Sequence, residues 1–339
     1  LGCFVGGFRT GPKDPFDSFG FRMAFLLLFA MLAFRWGTGF DWGRYIALFE
    51  RMDSRSFIDV IQMRDPGYAL LNWAVRHLDG GFWVVTLLGA VPFVFGLYHF
   101  SKAQPEPWIA AMVAIPYLVI VVAMGYIRQG IAIGFLLGGL AGLLQGKPYW
   151  RFIVATFLAS LFHSTAVIAI PLTVMGLHRD RMTQLVAAPA VAYLLYTFAF
   201  QSQFDRFVTN YVRYAMVSEG AGIRMAMCTV PAVLFLFYRN RLAFSDDERA
   251  LWRNFSLASI ALAVLFLLST ASTAVDRIAL YLLPLQLAVF ARLPLLINSR
   301  VGGRVLVIAL FAAVQFVWLN YAQTARGWIP YRLTIPFST

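Results

Sequence analysis

The sequence has 339 residues, of which 60% are hydrophobic and only 13% are charged, and its mean hydropathy is +0.71. This balance excludes a soluble globular domain and indicates a polytopic membrane protein. The net charge of +12 does not indicate nucleic-acid binding, because the Lys and Arg residues are scattered through short loops, where they suit an anionic leaflet. Neither Cys3 and Cys228 nor the four histidines have a metal-binding spacing, so we predict no metal and no cofactor.

The first residues of the chain could be the end of a helix whose start is missing. Residues 1–9 are apolar but too short to span a membrane, and a basic linker follows at 10–22. No small-residue cleavage site follows an apolar core, so this segment is not a signal peptide. The first complete span is predicted at about 20–36. We expect about 11 spans, or about 12 if a helix at the N terminus is truncated.

The longest polar interval, residues 35–68, contains five of the sixteen acidic residues of the chain. Asp41, Tyr45 and Phe49 recur at i, i+4 and i+8, so on a helix they share one face. The tripeptide at 65–67, Asp-Pro-Gly, predicts the end of that helix and the start of another, because proline is tolerated in a first turn. Three basic residues are predicted to share a second face of the helix: Arg44, Arg51 and Arg55.

A charged, aromatic-rich segment between membrane spans must face water. With a short, half-buried helix predicted at 67–79, this interval forms a helical cap, residues 37–81, above a cavity. No linker, low-complexity run or internal repeat divides the chain, so residues 1–339 are predicted to be one all-α transmembrane helical bundle. Ten further spans are predicted at about 82–100, 108–125, 127–145, 150–162, 165–178, 184–200, 223–239, 252–270, 275–292 and 303–321.

The distribution of Lys and Arg predicts the orientation, because cytoplasmic loops carry the excess of positive charge. This orientation requires residues 150–178 to form two short helices that turn at His163. The alternative is a single tilted helix that crosses the membrane once. The cytoplasmic connectors are 101–107, 145–151, 178–182, 239–253 and 292–304. The periplasmic side receives 35–68, the loop 201–222, the turns near 126–129, 162–165 and 272–277, and the tail after 321.

Four arginines are predicted on the periplasmic side, at the edge of the apolar region. An ionised side chain at the membrane centre costs about 2.5–3.5 kcal/mol, so such residues usually face a cavity or a partner. Arg128 has no acidic residue within ten positions, whereas Arg277 follows Asp276 and could form a local pair. Arg213 and Arg224 flank a polar loop and could simply be solvated. Guanidinium groups from separate helices that converge on one face would suit a phosphate ligand.

Three further residues have a structural and a catalytic interpretation. His163 lies at an apolar bend, where a buried histidine bonded to a backbone carbonyl is one outcome and a catalytic group is the other. Asp41 follows Gly-Thr-Gly-Phe and could act as a helix N-cap. Asp65 precedes Pro-Gly and could be a turn or cap residue.

Five segments in this order resemble the EpsG-like branch of the Wzy-type polysaccharide polymerases. They are GTGFDWGRYIALF, RDPGYALLNW, YIRQGIA, LFHSTA and DRIALYLLP, between about residues 35 and 285. The resemblance implies a GT-C-type glycosyltransferase of the bacterial inner membrane, active at the periplasmic face without a metal or nucleotide sugar. It implies undecaprenyl-diphosphate-linked oligosaccharides as substrates, with membrane lipids and a chain-length regulator as further partners.

This chemistry assigns a role to each candidate residue. The arginines Arg128, Arg224 and Arg277, with Arg213 as a fourth, would neutralise the lipid diphosphate. Asp41 is the first choice for the base that activates the attacking hydroxyl and Asp65 the second, while His163 orients a substrate or backbone group. Aromatic rings of the cap suit stacking on sugars or an interfacial belt: Trp36, Trp42, Tyr45, Tyr68 and Trp73.

Two other functions remain open on the sequence alone. A lipid-linked oligosaccharide transporter or flippase would also use arginines in a cavity, but such proteins often have inverted repeats. A membrane sugar O-acyltransferase would need a histidine that acyl-CoA can reach from the cytoplasm.

Overall fold

A computed structural model describes residues 15–177, 220–268 and 272–333, together with Tyr193. The predicted span at 184–200 and Arg213 lie outside the described residues, as does most of the predicted loop 201–222.

Helices dominate the described residues, because a backbone in lipid must satisfy its hydrogen bonds internally. Five helices are long and apolar enough to cross a membrane, and five shorter apolar helices accompany them. This confirms a helical membrane protein, while the count of about 11 spans and the GT-C fold stay predictions. In chain order the helices are α1 (Pro15–Ala33), α2 (Trp42–Glu50), α3 (Phe57–Ile61), α4 (Pro66–His77), α5 (Phe82–Lys102), α6 (Pro107–Ala114, continued by a π-helix over Ile115–Ala123), α7 (Ile127–Leu144), α8 (Tyr149–Phe162), α9 (Ala169–Leu177), α10 (Ala221–Tyr238), α11 (Asp246–Leu268), α12 (Ser272–Ala279), α13 (Leu283–Phe290) and α14 (Arg300–Tyr321).

One short sheet accompanies the helices in the described residues. Two short strands, β1 (Arg35–Trp36) and β2 (Arg332–Leu333), pair in an antiparallel sheet that joins the start of the cap to the C-terminal tail. The tail is held further by a hydrogen bond from the Gly39 N–H to the Gly327 carbonyl, at 2.7 Å. Trp328 is buried and donates its indole N–H to the Ile120 carbonyl at 2.7 Å. The cap and the tail therefore lie on one side of the bundle, which we call the cap side.

Close contact between α5 and α7 forms the centre of the bundle. Gly96 of α5 faces Gly134 of α7 so closely that a Cβ on Gly96 would collide with the Gly134 carbonyl. A Cβ on Gly134 would in turn collide with the backbone of Phe93. Small residues at helix interfaces let backbones approach in this way, since lipid provides no hydrophobic drive for association.

Helices α8 and α9 form the predicted hairpin at His163. His163 has an extended backbone (φ −155°, ψ 109°) between the end of α8 and a 3₁₀ turn over Ser164–Ile168. The Tyr149 hydroxyl at the start of α8 lies 3.1 Å from the Thr173 hydroxyl in α9. One continuous helix would separate these two residues by about 36 Å, so the single tilted crossing is excluded.

The opposite side, which we call the connector side, is joined by arginine networks. Glu106 accepts hydrogen bonds from Arg300 at 2.6 Å and from Arg304 at 3.0 Å. Arg292 donates to Gln104 and to Glu248, each at 2.6 Å. These contacts unite 101–107, 239–253 and 292–304, which the charge distribution places on one side.

The cap is built from α2, α3 and α4, in agreement with its predicted helical character. Helix α2 ends at Glu50, and a 3₁₀ turn over Arg51–Ser54 follows. The prediction that Arg44, Arg51 and Arg55 share a face of one helix is therefore wrong. Asp53 and Arg76 link the 3₁₀ turn to α4 through two hydrogen bonds of 2.7 Å. The hydrogen bond from Arg76 lowers the pKa of the exposed Asp53 carboxyl.

Replacement of Gly96 by Ala tests the packing of α5 on α7. We expect Gly96→Ala to destabilise the protein by about 1–3 kcal/mol, because an added methyl group cannot be accommodated without displacing a backbone. The measurement is the thermal unfolding midpoint of the purified protein in detergent. Gly138→Ala is the matched control, since the nearest atom to its Cβ is the Gly96 Cα at 3.8 Å. Equal midpoints for the two variants would contradict the close contact.

Candidate functional site

An ion pair between the cap and α7 forms the centre of the candidate site. Asp65 is 6% exposed, and its Oδ2 accepts a hydrogen bond from Arg128 Nη1 at 2.6 Å. Its other oxygen accepts from the backbone N–H of Ser164 at 3.3 Å. Asp65 occupies the N-cap position of α4, but its side chain makes no capping hydrogen bond. The side chain therefore joins three segments of the cap side rather than capping its own helix.

Arg128 is the second residue of α7, where the positive end of the helix dipole disfavours a cation and favours an anion. The negative charge of Asp65, which lies 63 residues earlier in the sequence, offsets this cost. The guanidinium also lies 5.9 Å from the centre of the Tyr45 ring. The Arg128 side chain is still 40% exposed. A guanidinium has five N–H donors, so Arg128 keeps donors for an external anion.

His163 lies beside this ion pair in a network of hydroxyl groups. Its Nδ1 is 2.6 Å from the Thr165 hydroxyl and 2.9 Å from the Tyr281 hydroxyl. Both His163 and Tyr281 are buried. The structural interpretation of His163 thus holds in part, with hydroxyl groups in place of a backbone carbonyl. Since Ser164 follows His163 and binds Asp65, the network and the ion pair are continuous.

Arg277 reaches the same region from α12. Gln129, next to Arg128, donates its side-chain N–H to the Arg277 carbonyl at 2.8 Å. The Arg277 side chain is exposed. Arg64, Arg128 and Arg277 all lie close enough to His163 to act on it electrostatically. The side chain of Asp276, the predicted local partner of Arg277, lies outside the described residues.

Arg224 belongs to the first turn of α10, on the same side of the bundle. One turn later, the Cys228 thiol donates to the Ala279 carbonyl of α12 at 3.3 Å. Arg224 is half-buried. The contact between α10 and α12 places this arginine at the cap-side end of both helices.

Asp41 approaches the site from the outer surface. It is the N-cap residue of α2 but makes no capping hydrogen bond, and its carboxylate instead pairs with Arg44 at 3.1 Å. The Asp41 side chain is 27% exposed, compared with 6% for Asp65. Tyr45, one turn after Asp41, contacts Arg128. Asp41 is therefore the more accessible of the two carboxylates.

Tyr45 and Tyr68 do not present free rings in this structure. They are 5% and 0% exposed, and their rings pack edge to face with centroids 5.7 Å apart. Burial raises the pKa of both phenols, so both stay neutral. The prediction that these two rings stack on a sugar does not agree with their burial. Trp36, which is 45% exposed, offers an accessible ring at the edge of the cap.

Several site residues were not singled out as candidates from the sequence, although each lies in one of the five segments that carry the resemblance. Gln129 follows Arg128, and Arg64 precedes Asp65. Adjacency within a short motif was the available signal for these residues. Ser164 and Thr165 lie in the same segment as His163, and Tyr281 lies in the same segment as Arg277. Within the described part of the chain, no group of three or more His, Cys, Asp or Glu side chains could hold a metal ion.

Comparison with known proteins identifies one family. The model described as the EpsG family matches residues 19–333. This range includes every segment on which the resemblance rests, so the resemblance is confirmed. No curated protein and no solved structure matches the chain.

Removal of the Asp65 charge tests the ion pair. We expect Asp65→Asn to lower the free energy of unfolding by about 1–3 kcal/mol, because the Arg128 guanidinium loses a charge-assisted hydrogen bond in a partly buried site. The thermal unfolding midpoint in detergent measures this loss. Asp53→Asn is the control, since it removes the same charge from the exposed pair with Arg76 and should shift the midpoint little. Equal shifts in the two variants would argue against a special role for Asp65.

Proposed function

The chain belongs to the EpsG family, and on that premise we propose that it polymerises undecaprenyl-diphosphate-linked oligosaccharide repeat units at the periplasmic face of the bacterial inner membrane. Family membership indicates a polysaccharide-polymerase type of function in the membrane. The lipid-diphosphate donor, the GT-C type and the periplasmic face are our proposals.

The observation that carries the proposal is that the Arg128 guanidinium is held in place and yet remains partly exposed. Its guanidinium is fixed by Asp65 and Tyr45, yet 40% of the side chain stays exposed at the N-terminal turn of an apolar helix. A purely structural arginine at this depth would be expected to satisfy all its donors internally. An exposed and oriented guanidinium is instead suited to an anionic headgroup, which it can bind with two parallel hydrogen bonds.

In the proposed reaction, a hydroxyl group at the non-reducing end of one lipid-linked unit attacks the anomeric carbon of the growing chain. The bond between that carbon and the diphosphate oxygen breaks, and undecaprenyl diphosphate leaves with the bonding electrons. Arg128 and Arg277, with Arg224 and Arg213 as further ligands, stabilise the negative charge of the leaving group. The proton of the attacking hydroxyl passes to a carboxylate.

Asp41 is the proposed base, and Asp65 is proposed to hold Arg128 in place. A base must be reachable by the acceptor, and Asp41 is the more exposed of the two carboxylates. Asp65 is buried, and both of its carboxylate oxygens already accept hydrogen bonds, from Arg128 and from the Ser164 N–H. His163 is proposed to act as a positioning residue, since its Nδ1 already contacts Tyr281 and Thr165.

The alternative of an O-acyltransferase has less support. His163 lies with the cap-side ion pair, while the predicted cytoplasmic loops meet on the connector side. Acyl-CoA in the cytoplasm would not reach it. No described feature favours a flippase over a polymerase.

Substitution of Arg128 tests the diphosphate clamp. We expect Arg128→Lys and Arg128→Ala both to lower the rate of polymerisation by about 100–1,000-fold, as for loss of one oriented donor. Lysine keeps the charge but lacks the planar fork, so it should not rescue activity. The measurement is polymer formation from a defined lipid-linked repeat unit in proteoliposomes. Arg76→Lys, in an exposed cap pair, is the control and should retain activity. Normal polymerisation rates for both Arg128 variants would contradict the proposal that Arg128 binds the diphosphate.

Substitution of Asp41 tests the base. We expect Asp41→Asn to lower the polymerisation rate by about 10²–10⁴-fold while protein yield stays normal. Glu50→Gln, an isosteric loss of charge at the exposed end of the same helix, should have little effect. If Asp41→Asn polymerises at the normal rate, Asp41 is not the base and Asp65 becomes the candidate.

Cysteine labelling tests the orientation. We expect a cysteine at Ser54 to react with an impermeant thiol reagent in cells whose outer membrane is permeabilised, and a cysteine at Ser245 to be protected. Both positions are exposed and lie on opposite sides of the bundle. The reverse pattern would place the candidate site in the cytoplasm and overturn the proposed donor.

A further inference from the structure

An apolar groove between α1 and α5 opens on the connector side, away from the candidate site. Its volume is about 390 Å³, within the range of roughly 300–1,000 Å³ for small-molecule pockets. Phe25, Phe29 and Val94 are among its lining residues, with Leu26 and Val91 exposed at its walls. The groove is therefore concave and open to its surroundings.

The direction of α1 relative to α5 shows which end of the groove faces the connector side. The Ala33 carbonyl at the end of α1 accepts a hydrogen bond from Thr86 near the start of α5, so the two helices run antiparallel. The groove begins about one turn from this contact, at Phe29 and Val91, and runs to Arg22 and His99, three residues before the end of α5. Seven residues of helix cover about 10 Å, which is about a third of a hydrocarbon core of roughly 30 Å. The length of the groove suits part of an acyl chain, and its Arg22–His99 end faces the connector side.

Four cationic or basic groups surround the end of this groove. Arg22 and His99 line it, and Lys102 follows His99 at the end of α5, with its ammonium group 5.3 Å from the centre of the Tyr98 ring. Lys147, after α7, lies close enough to His99 to act on it electrostatically, as does Lys102. Within the described residues, no salt bridge is formed by any of these four groups, Arg22, His99, Lys102 and Lys147.

Three acidic residues on the connector side are paired with other arginines. Glu106 binds Arg300 and Arg304, and Glu248 binds Arg292. Asp246 pairs with Arg249. These three carboxylates therefore do not neutralise the positive charge at the mouth of the groove.

We propose that this groove binds one anionic phospholipid, whose acyl chain occupies the groove and whose phosphate headgroup contacts Arg22, Lys102 and Lys147. An apolar groove that has cations without a described salt bridge at one end matches the two parts of such a lipid, an acyl chain and an anionic headgroup. The site is independent of the proposed polymerase chemistry, because it lies on the opposite side of the bundle from Arg128.

Lipid retention in nanodiscs tests this site. The full chain is reconstituted with equal amounts of phosphatidylglycerol and phosphatidylcholine, extracted in mild detergent, and its bound lipids are counted by native mass spectrometry. Each cation near an anionic lipid raises affinity by about fivefold, so we expect phosphatidylglycerol to exceed phosphatidylcholine by at least about fivefold.

Two variants with matched controls identify the groove as the site of binding. The triple variant Arg22→Gln, Lys102→Gln, Lys147→Gln should reduce the retained phosphatidylglycerol to the level of phosphatidylcholine. The control triple removes the same charge from exposed positions of the connector at 239–253 and should retain the preference: Arg239→Gln, Arg241→Gln and Arg253→Gln.

The second variant, Leu26→Trp, fills the groove and should abolish the retained lipid. Leu27→Trp, on an exposed neighbouring position outside the groove, should not. The proposal is wrong if the wild type shows no preference, if the control triple loses as much as the groove triple, or if Leu26→Trp still retains phosphatidylglycerol.

Discussion

The ion pair between Asp65 and Arg128 is the constraint on which the cap-side geometry depends. Asp65 starts α4 of the cap, Arg128 starts α7 of the bundle, and Ser164 follows the hairpin bend, so one carboxylate joins three separate segments. A buried carboxylate without partners would be expensive, and a lone arginine at the edge of the apolar region would be as well. Each charge makes the other tolerable, and together they hold the cap against the membrane domain.

A comparison of two arginines distinguishes a structural group from a candidate binding group. Arg292 on the connector side is 4% exposed, and its donors are taken by Gln104, Glu248 and two backbone carbonyls. Arg128 on the cap side is also ion-paired, but 40% of its side chain stays exposed. The first arrangement leaves almost no accessible guanidinium for a ligand, because the group is buried and makes four hydrogen bonds within the protein. The second keeps a guanidinium oriented and accessible, which is the requirement for anion binding.

The sequence predicted those features that depend on local composition. Runs of apolar residues predicted the positions of most described helices outside the cap, and loop charges grouped the connectors whose residues are in contact. It did not predict the partner of Arg128, because Asp65 is 63 positions away and pairing at that distance depends on the tertiary fold. The burial of Tyr68 was missed for a similar reason. Its position in a polar interval suggested exposure, whereas it is enclosed in a small apolar cluster between the cap and helices α5 and α7.

The depth of the candidate site is set by packing that lies far from it. Arg128 occupies the first turn of α7, so its position follows from how α7 is placed against α5. The near contact of Gly96 with Gly134, almost two turns further along α7, leaves no room for either helix to slide toward the other. A similarly tight contact, in which a Cβ on Gly39 would lie 2.7 Å from the Gly125 Cα, holds the start of the cap against the turn before α7. Glycines at these two places thus fix the distance between a carboxylate of the cap and a guanidinium of the bundle, and the ion pair forms where the two meet.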